Sequence, residues 1–147
     1  MARNYQQGYF IPKHPEKYIG GHSDRMAYRS SMELVMMTVC DENDKIKFWA
    51  SESLQIPYQN PFTGRWTLYI PDFLIIYEDS SGRTRGEVVE IKSLSQSITT
   101  KARGDRDRAQ VAINHAKWKA AIQFCVKRGL HFKVMTEGDI GGYKKKS

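Results

Sequence analysis

The order of hydrophobic patterns along the chain constrains its fold more than any other feature. Apolar residues recur at helical spacing up to residue 40, alternate as in strands between residues 46 and 92, and return to helical spacing over 105–127. A short strand pattern follows at 131–135. Hairpin-type links favour antiparallel pairing of the first strands, and a helical crossover favours a parallel last strand. The predicted fold is α/β, with the order helix, three strands, helix, strand and a mixed sheet flanked by helices.

Capping residues and stripes of apolar residues at helical spacing give the predicted bounds of the two helices. The first helix is predicted from Ser23 or Asp24 to Cys40, because serine and aspartate are common N-caps. Its apolar stripe consists of Tyr28, Met32, Val35, Met36 and Val39. The second helix is predicted from Asp105 to Lys127, with Gly129 as the C-cap. It carries two apolar stripes, which predicts a position between two layers of the fold.

Turn residues divide the strand region. Clusters at 60–64 and 78–82 predict turns. Pro71 interrupts the run 66–77, and because proline cannot donate a ladder hydrogen bond it predicts an edge position or a bulge. In the strand at 46–50, alternation predicts Ile46, Phe48 and Ala50 on one face. Trp49 and Trp118 are predicted to be core residues.

The chain has 147 residues, the length of one domain. Residues 1–23 are predicted to form an extended arm that packs its aromatic side chains on the domain or on a partner, residues 24–140 one domain, and 141–147 a basic tail. Two cysteines, Cys40 and Cys125, exclude a disulfide scaffold and are predicted to be reduced core thiols. No apolar run is long enough for a bilayer, and the N-terminus lacks a signal region, so we expect an intracellular protein that is not secreted.

The net charge of +7 comes from 23 basic and 16 acidic residues. Such a surplus favours polyanionic partners, although a merely soluble basic protein would show the same balance. Histidines and cysteines lack zinc spacing, and neither a phosphate-binding glycine loop nor a Gly-x-Ser-x-Gly elbow occurs.

Three charged residues in the strand region indicate a reaction centre. Glu90 and Lys92 share one face of a strand, and Asp72 at the bend of the preceding strand is expected beside them. Two neighbouring carboxylates repel each other unless a cation compensates, and hard oxygen ligands suit Mg²⁺. The carbonyl of Ile91 is a further candidate ligand, and Lys92 would orient water and stabilise negative charge during phosphodiester hydrolysis. The alternative is a solvated Glu90–Lys92 ion pair beside an ordinary Pro-Asp turn.

Two more residues have open alternatives. Glu33 on the first helix is either a site residue or the partner of Arg29 in a surface salt bridge. Lys117, near Asn114 on the second helix, would reach a phosphate if that helix packs beside the Glu90 strand, but a solvated position is slightly favoured.

These residues resemble the PD-(D/E)XK nuclease superfamily, also called restriction-endonuclease-like, whose core has the same order of elements. The resemblance implies that Asp72 is the motif aspartate, that Glu90 and Lys92 form its Glu-x-Lys, and that Glu33 is the helix glutamate that supports the metal site. The implied cofactor is Mg²⁺, with Mn²⁺ able to replace it.

A closer resemblance covers most of the chain and points to the head completion nucleases of tailed phages, which are related to TnsA-type transposon endonucleases. The residues that carry it are His14–Gly20, Tyr28–Glu33, Trp49–Glu52, Ile56–Tyr58, Tyr69–Phe73, Glu90–Lys92 and Asn114–Trp118. Ser93 departs from a proline common at that position, whereas Gln96 matches a frequent downstream glutamine.

The resemblance implies a DNA endonuclease that acts on packaged DNA ends, in the host cytoplasm or the virion. The implied partners of the protein are double-stranded DNA and phage head or portal proteins, and no membrane partner is expected. Candidate DNA contacts are Arg29, Gln96 and Lys117. The alternatives are a non-catalytic DNA-binding protein of the head or portal and a transposon or repair nuclease of the same fold.

Overall fold

The computed structural model describes residues 7–92, 104–136 and 138–139. Within these residues, the named elements are two α-helices, eight strands and a short 3-10 turn at Pro15–Lys17. The strands are β1 (Gly8–Phe10), β2 (Met26–Tyr28), β3 (Ile46–Ser51), β4 (Ile56–Gln59), β5 (Trp66–Tyr69), β6 (Phe73–Glu78), β7 (Thr84–Ile91) and β8 (His131–Met135), and the helices are α1 (Ser31–Glu42) and α2 (Asp105–Arg128).

The central sheet has four strands in the order β3-β6-β7-β8. The β3–β6 and β6–β7 pairs are antiparallel, and the β7–β8 pair is parallel. Val88 and Val89 point to opposite faces of β7, and both are fully buried, so both faces of this strand are covered. The predicted α/β fold with a mixed sheet and flanking helices is confirmed.

The first helix starts later than predicted, because two hydrogen bonds made by side chains fix its first turn. The Ser30 hydroxyl accepts the Glu33 N–H at 3.1 Å, and the Glu33 carboxylate accepts the Arg29 N–H at 3.0 Å. Tyr28, assigned to the helical stripe from the sequence, instead ends β2. The start at residue 23 or 24 was therefore wrong.

Strand β3 does not keep the simple alternation expected of it. Its register against β6 shifts between Ile46 and Phe48, which marks a bulge. The shift turns Phe48 outward, where it is 45% exposed, and leaves Trp49 fully buried. The predicted common face of Ile46, Phe48 and Ala50 was wrong, whereas the core position of Trp49 is confirmed.

Pro71 lies between two sheets, rather than at a bulge or an edge within one strand as the sequence suggested. β5 ends at Tyr69 and pairs with β4 in a two-stranded sheet, whereas β6 starts at Phe73 in the central sheet. Pro71 itself is buried. The chain therefore changes direction immediately before Asp72.

The N-terminal segment is attached to the domain by strand pairing and by aromatic packing. β1 pairs with β2, although no strand was predicted there. Phe10 and Tyr18 contact Trp49 edge-on, with ring centroids 6.1 and 4.7 Å away. The predicted packing of arm aromatics on the domain is thus confirmed for these two residues.

Helix α2 packs against strands of two different sheets. It contacts β4 and β8 and buries Ala121 and Cys125, and it ends at Gly129, whose φ of 71° suits glycine. Ile122 and Val126 are 51% and 72% exposed. The helix thus contacts two sheets, as the predicted position between two layers requires, but Ile122 of the predicted second stripe faces solvent. Trp118 is half-buried and packs against the buried cluster of Ile56, Tyr58, Tyr69 and Ala121.

Both cysteines are buried free thiols, as predicted. Burial raises the pKa of each thiol, so both stay protonated near neutral pH. In the described parts of the chain, no helix is long and apolar enough to cross a membrane.

Asp41, at the end of α1, is the one fully buried charged residue among those described. Its carboxylate accepts the N–H groups of Lys13 and His14 at 2.8 and 2.9 Å. Asp41→Ala leaves these donors without partners and is expected to lower the free energy of unfolding by about 1–3 kcal/mol. Urea unfolding would measure this. Asp44→Ala, an exposed neighbour, should change stability by less than about 0.5 kcal/mol, and an equal loss in both variants would contradict the anchoring role.

Candidate active site

Strand register places the two motif carboxylates next to each other. Phe73 pairs with Val89 in the β6–β7 ladder, so the preceding Asp72 lies opposite the following Glu90. The N–H of Ile91 donates to Asp72 Oδ2 at 2.7 Å, which fixes this carboxylate against the end of β7. The predicted proximity of Asp72 to the Glu90–Lys92 segment is thus present in the structure.

Asp72 is held in an environment that disfavours its charge. Burial raises its pKa from an ordinary value of 3.8 to about 7, and the negative charge of Glu90 adds to the rise. The hydrogen bond from Ile91 opposes it, because an N–H donor stabilises the carboxylate. Asp72 therefore binds a proton more tightly than a free aspartate does, and a positive charge beside it would relieve the same cost of burial.

The negative charge of Glu90 has a hydroxyl donor and an ammonium group close to it, which stabilise it. Burial raises its pKa, but the Tyr69 hydroxyl donates to Glu90 Oε1 at 2.6 Å and stabilises the charged form. Lys92 Nζ lies 3.7 Å from Glu90 Oε2, with only 20% of the lysine side chain exposed. The Glu90–Lys92 pair is therefore largely buried, in contrast to the solvated pair considered from the sequence.

Lys117 on α2 also faces this site. Its ammonium lies 5.9 Å from the ring centre of Tyr58 and 5.8 Å from that of Tyr69. It also lowers the pKa of Glu90 through its positive charge. The slightly favoured solvated position was therefore wrong, and Lys117 is a second cation beside the carboxylates.

Glu33 approaches the site from α1 through its capping interaction. Its charge contributes to the raised pKa of Asp72, while its Oε1 accepts the Arg29 N–H. The Arg29 guanidinium pairs with Glu52, so the alternative of an Arg29–Glu33 surface salt bridge does not hold. The roles of Glu33 as a metal support and of Arg29 as a DNA contact stay predictions.

Two residues of the site were not predicted from the sequence. One is Tyr69, which orients Glu90. The other is Glu52, whose N–H donates to the carbonyl of Asp72 at 3.0 Å and whose charge also raises the Asp72 pKa. Glu52 has a φ of 50°, the only positive value among described residues other than glycine. Antiparallel pairing of the strands before Glu52 and after Asp72 was the available signal, because it sets these two residues opposite each other.

The ligand set for a cation is small. Within residues 7–92, 104–136 and 138–139, no three histidine, cysteine or acidic side chains lie together so that they could hold a metal ion. The assignment of Asp72 and Glu90 as Mg²⁺ ligands, with the Ile91 carbonyl as a third, therefore stays a prediction based on their donor oxygens. Gln96 lies outside the described residues.

Removing the Tyr69 hydroxyl tests how strongly Glu90 depends on it. Tyr69→Phe keeps the buried ring but removes the hydrogen bond to Glu90, and residues that orient metal ligands commonly contribute about 10- to 100-fold in activity or affinity. We therefore expect DNA cleavage to slow by at least about tenfold, with unchanged circular dichroism. Tyr58→Phe, on the paired strand, is the matched control. Equal rates for wild type and Tyr69→Phe would contradict the orienting role.

Comparison with known proteins identifies the family. The model of the family described as TnsA-like endonuclease N-terminal matches residues 43–137. This segment runs from before β3 to beyond β8 and contains Asp72, Glu90 and Lys92. The chain belongs to the TnsA-like endonuclease family. The restriction-endonuclease-like fold expected from the resemblance is thereby confirmed for this TnsA-like chain.

A second comparison supports the closer resemblance. This TnsA-like chain is 33% identical over 140 residues to a protein named head completion nuclease from Enterobacteria phage T4. The alignment covers 88% of this chain and 90% of the phage T4 protein. The predicted relationship to phage head completion nucleases is confirmed.

Proposed function

We propose that the protein is a Mg²⁺-dependent DNA endonuclease that hydrolyses phosphodiester bonds at packaged DNA ends during phage head completion. The observation that carries this proposal is the buried Asp72–Glu90 pair beside Lys92, in a chain of an endonuclease family. The phage T4 relative, named for head completion, supports the biological setting. Phage head or portal proteins would be its partners, and the host cytoplasm or the virion its place of action.

Asp72 and Glu90 would hold the cation, with the Ile91 carbonyl as a further ligand and Glu33 as support. A bound Mg²⁺ would supply charge stabilisation at the scissile phosphate and a more acidic water. The fit depends on the donor chemistry: two buried carboxylates of raised pKa gain most from a divalent charge between them.

Lys92 and Tyr69 would prepare the site for the reaction. The Lys92 ammonium, confined near Glu90, presents a fixed positive charge to a water and to the developing negative charge on the phosphate. The Tyr69 hydroxyl holds one oxygen of Glu90, which leaves the second oxygen facing Lys92. Lys117 would neutralise a neighbouring phosphate, and Arg29 and Gln96 are further candidate DNA contacts.

Cleavage of duplex DNA with and without metal tests the proposal. The purified protein is incubated at pH 8 with supercoiled plasmid and with linear DNA, in Mg²⁺, in Mn²⁺ or in chelator. We expect cleavage with either ion, loss in chelator and recovery when Mg²⁺ is returned. Salt-sensitive DNA binding without metal-dependent cleavage would contradict the proposal and favour a structural DNA-binding role in the head or portal.

The preferred DNA substrate distinguishes a role in head completion from other roles that use the same hydrolytic reaction. Linear ends, mismatched duplexes and branched junctions are compared at equal concentration. Preferential cleavage near linear ends supports action on packaged DNA. Preference for mismatches or junctions would contradict the head-completion setting and indicate a repair or transposition nuclease with the same site.

A further inference from the structure

A second surface, distinct from the carboxylate pair, lies between α2 and the β4–β5 hairpin. It is a groove of about 640 Å³. Its floor and walls come from the strand pair that ends in Tyr69 and from the outer part of α2. Its lining includes Tyr58, Trp66, Lys119, Lys127 and Arg128.

The groove combines positive charge with exposed aromatic surface. Lys119, Lys127 and Arg128 line it, and none of its lining residues within the described part of the chain is acidic. Trp66 is 70% exposed, which is unusual for so large an apolar side chain on a domain surface. Cations for phosphates and an uncovered ring for bases are the two components of single-strand binding surfaces.

The groove is continuous with the active site. Tyr58 lines the groove, and its ring is 5.9 Å from the Lys117 ammonium. The positive charge of Lys117 stabilises the ionised form of Glu90. Along α2, Lys127 lies ten residues beyond Lys117, or roughly 15 Å at 1.5 Å per residue. On β5, Trp66 lies three residues before Tyr69, roughly 10 Å along the strand and, because side chains alternate, on the opposite face from Tyr69. A DNA strand that leaves the carboxylates past Lys117 and Tyr58 would reach Lys127 after about four stacked bases.

We propose that this groove binds an unpaired DNA strand, with a base stacked on Trp66 and phosphates beside Lys119 and Lys127. The inference rests on the proposed nuclease function and adds a substrate class to it, namely DNA with a single-stranded end next to the scissile bond. A base pair inside a duplex offers no free face to Trp66, because both its faces are stacked on neighbouring pairs. Complementary charge argues for nucleic acid over an apolar protein segment.

Binding measured in chelator tests the groove without any need for cleavage. The full chain is titrated with a fluorescein-labelled 12-nucleotide oligo-dT and, separately, with a 12-base-pair blunt duplex. Trp66→Ala should weaken oligo-dT binding by about 5- to 150-fold, as expected for loss of one stacked base. Trp66→Phe should restore most of the affinity, and duplex binding should change by less than twofold.

A charge variant with a matched control completes the test. The slope of log binding constant against log salt concentration measures phosphate contacts. For oligo-dT, Lys119→Gln/Lys127→Gln should make this slope smaller in magnitude by about 1.4, the value for two phosphate contacts on single strands. Lys45→Gln/Lys47→Gln removes the same charge from exposed positions at the β3 edge and should leave the slope within experimental error. Unchanged affinity in Trp66→Ala, or equal effects of the two double variants, would overturn the inference.

The two proposals fail in different ways. If the groove binds oligo-dT through Trp66 but no metal-dependent cleavage occurs, the nuclease proposal fails and single-strand binding stands. If cleavage depends on Mg²⁺ and Asp72 but Trp66→Ala binds and cuts overhanging DNA as well as wild type, the groove proposal fails alone.

Discussion

Replacing Asp72 by asparagine is expected to slow Mg²⁺-dependent DNA cleavage by about a thousandfold or more. Loss of one of the two proposed carboxylate ligands would remove several kcal/mol of charge stabilisation, and about 4 kcal/mol corresponds to that factor. Asparagine keeps the size of the side chain and an oxygen that can accept the Ile91 N–H, so the backbone arrangement should persist. Single-turnover cleavage of plasmid DNA measures the effect.

Asp79→Asn is the matched control for this substitution. Asp79 lies in the β6–β7 turn and pairs with Arg85, away from the carboxylate pair, so cleavage should stay within about twofold of wild type, as expected for a substitution away from the site. Cleavage by Asp72→Asn at the wild-type rate would show that Asp72 holds no required cation.

The same asparagine variant should be more stable than wild type at pH 8 when no metal is present. The pKa of Asp72 is about 7 in the folded protein and near 3.8 when the chain is unfolded, so the folded state binds the proton more tightly. The stabilisation from protonated Asp72 is complete below about pH 4 and is lost as the pH rises through 7. Because asparagine never ionises, its advantage in Tm should grow over this interval.

Thermal unfolding at pH 4, 6 and 8 in chelator measures this dependence. We expect a Tm difference close to zero at pH 4 and an increase of several degrees for Asp72→Asn at pH 8. Adding Mg²⁺ at pH 8 should raise the Tm of wild type and not that of the variant. A variant that is less stable than wild type at pH 8 in chelator would contradict the charge burden assigned to Asp72.

Removing the Lys92 ammonium is the second large expected effect. Lys92→Met keeps much of the side-chain length and apolar character but removes the fixed charge beside Glu90, and loss of one such electrostatic group typically slows a reaction by roughly 100- to 1,000-fold. The variant should still bind duplex DNA within about threefold of wild type, since a single phosphate contact carries little of the total affinity. Cleavage rate and DNA affinity are therefore measured on the same preparation.

Lys45→Met serves as its control, because Lys45 is an exposed lysine before the edge strand β3. Unchanged cleavage is expected there. Equal slowing in both variants would mean that net charge, and not the position of Lys92, governs the rate. A wild-type rate in Lys92→Met would remove this residue from the reaction.

Short sequence signals, such as a glycine cap and a helical crossover, correctly predicted the helix end and the strand direction that they control. Gly129 ends α2 as expected, and the helical crossover gives the parallel β8. The errors arise where one interaction overrides a pattern. The Ser30 hydroxyl caps α1 after a strand, and the bulge in β3 exchanges the faces of Phe48 and Trp49.

The candidate site was predictable only in part. The spacing of Asp72, Glu90 and Lys92 is visible in the sequence, because strand alternation and a hairpin bring these positions together. The contributions of Tyr69 and Glu52 depend on how β5 and β3 are placed beside them, which is a matter of tertiary packing. The position of Lys117 depends likewise on the packing of α2 against β4.

Anomalous diffraction from crystals soaked in Mn²⁺ at pH 8 tests most directly whether Asp72 and Glu90 hold a divalent ion. The expected result is a strong peak in contact with both carboxylates and the Ile91 carbonyl in wild type, and none there in Asp72→Asn. If wild-type crystals in saturating Mn²⁺ show no peak at the two carboxylates, or a peak only elsewhere, the proposed role of Asp72 and Glu90 is contradicted.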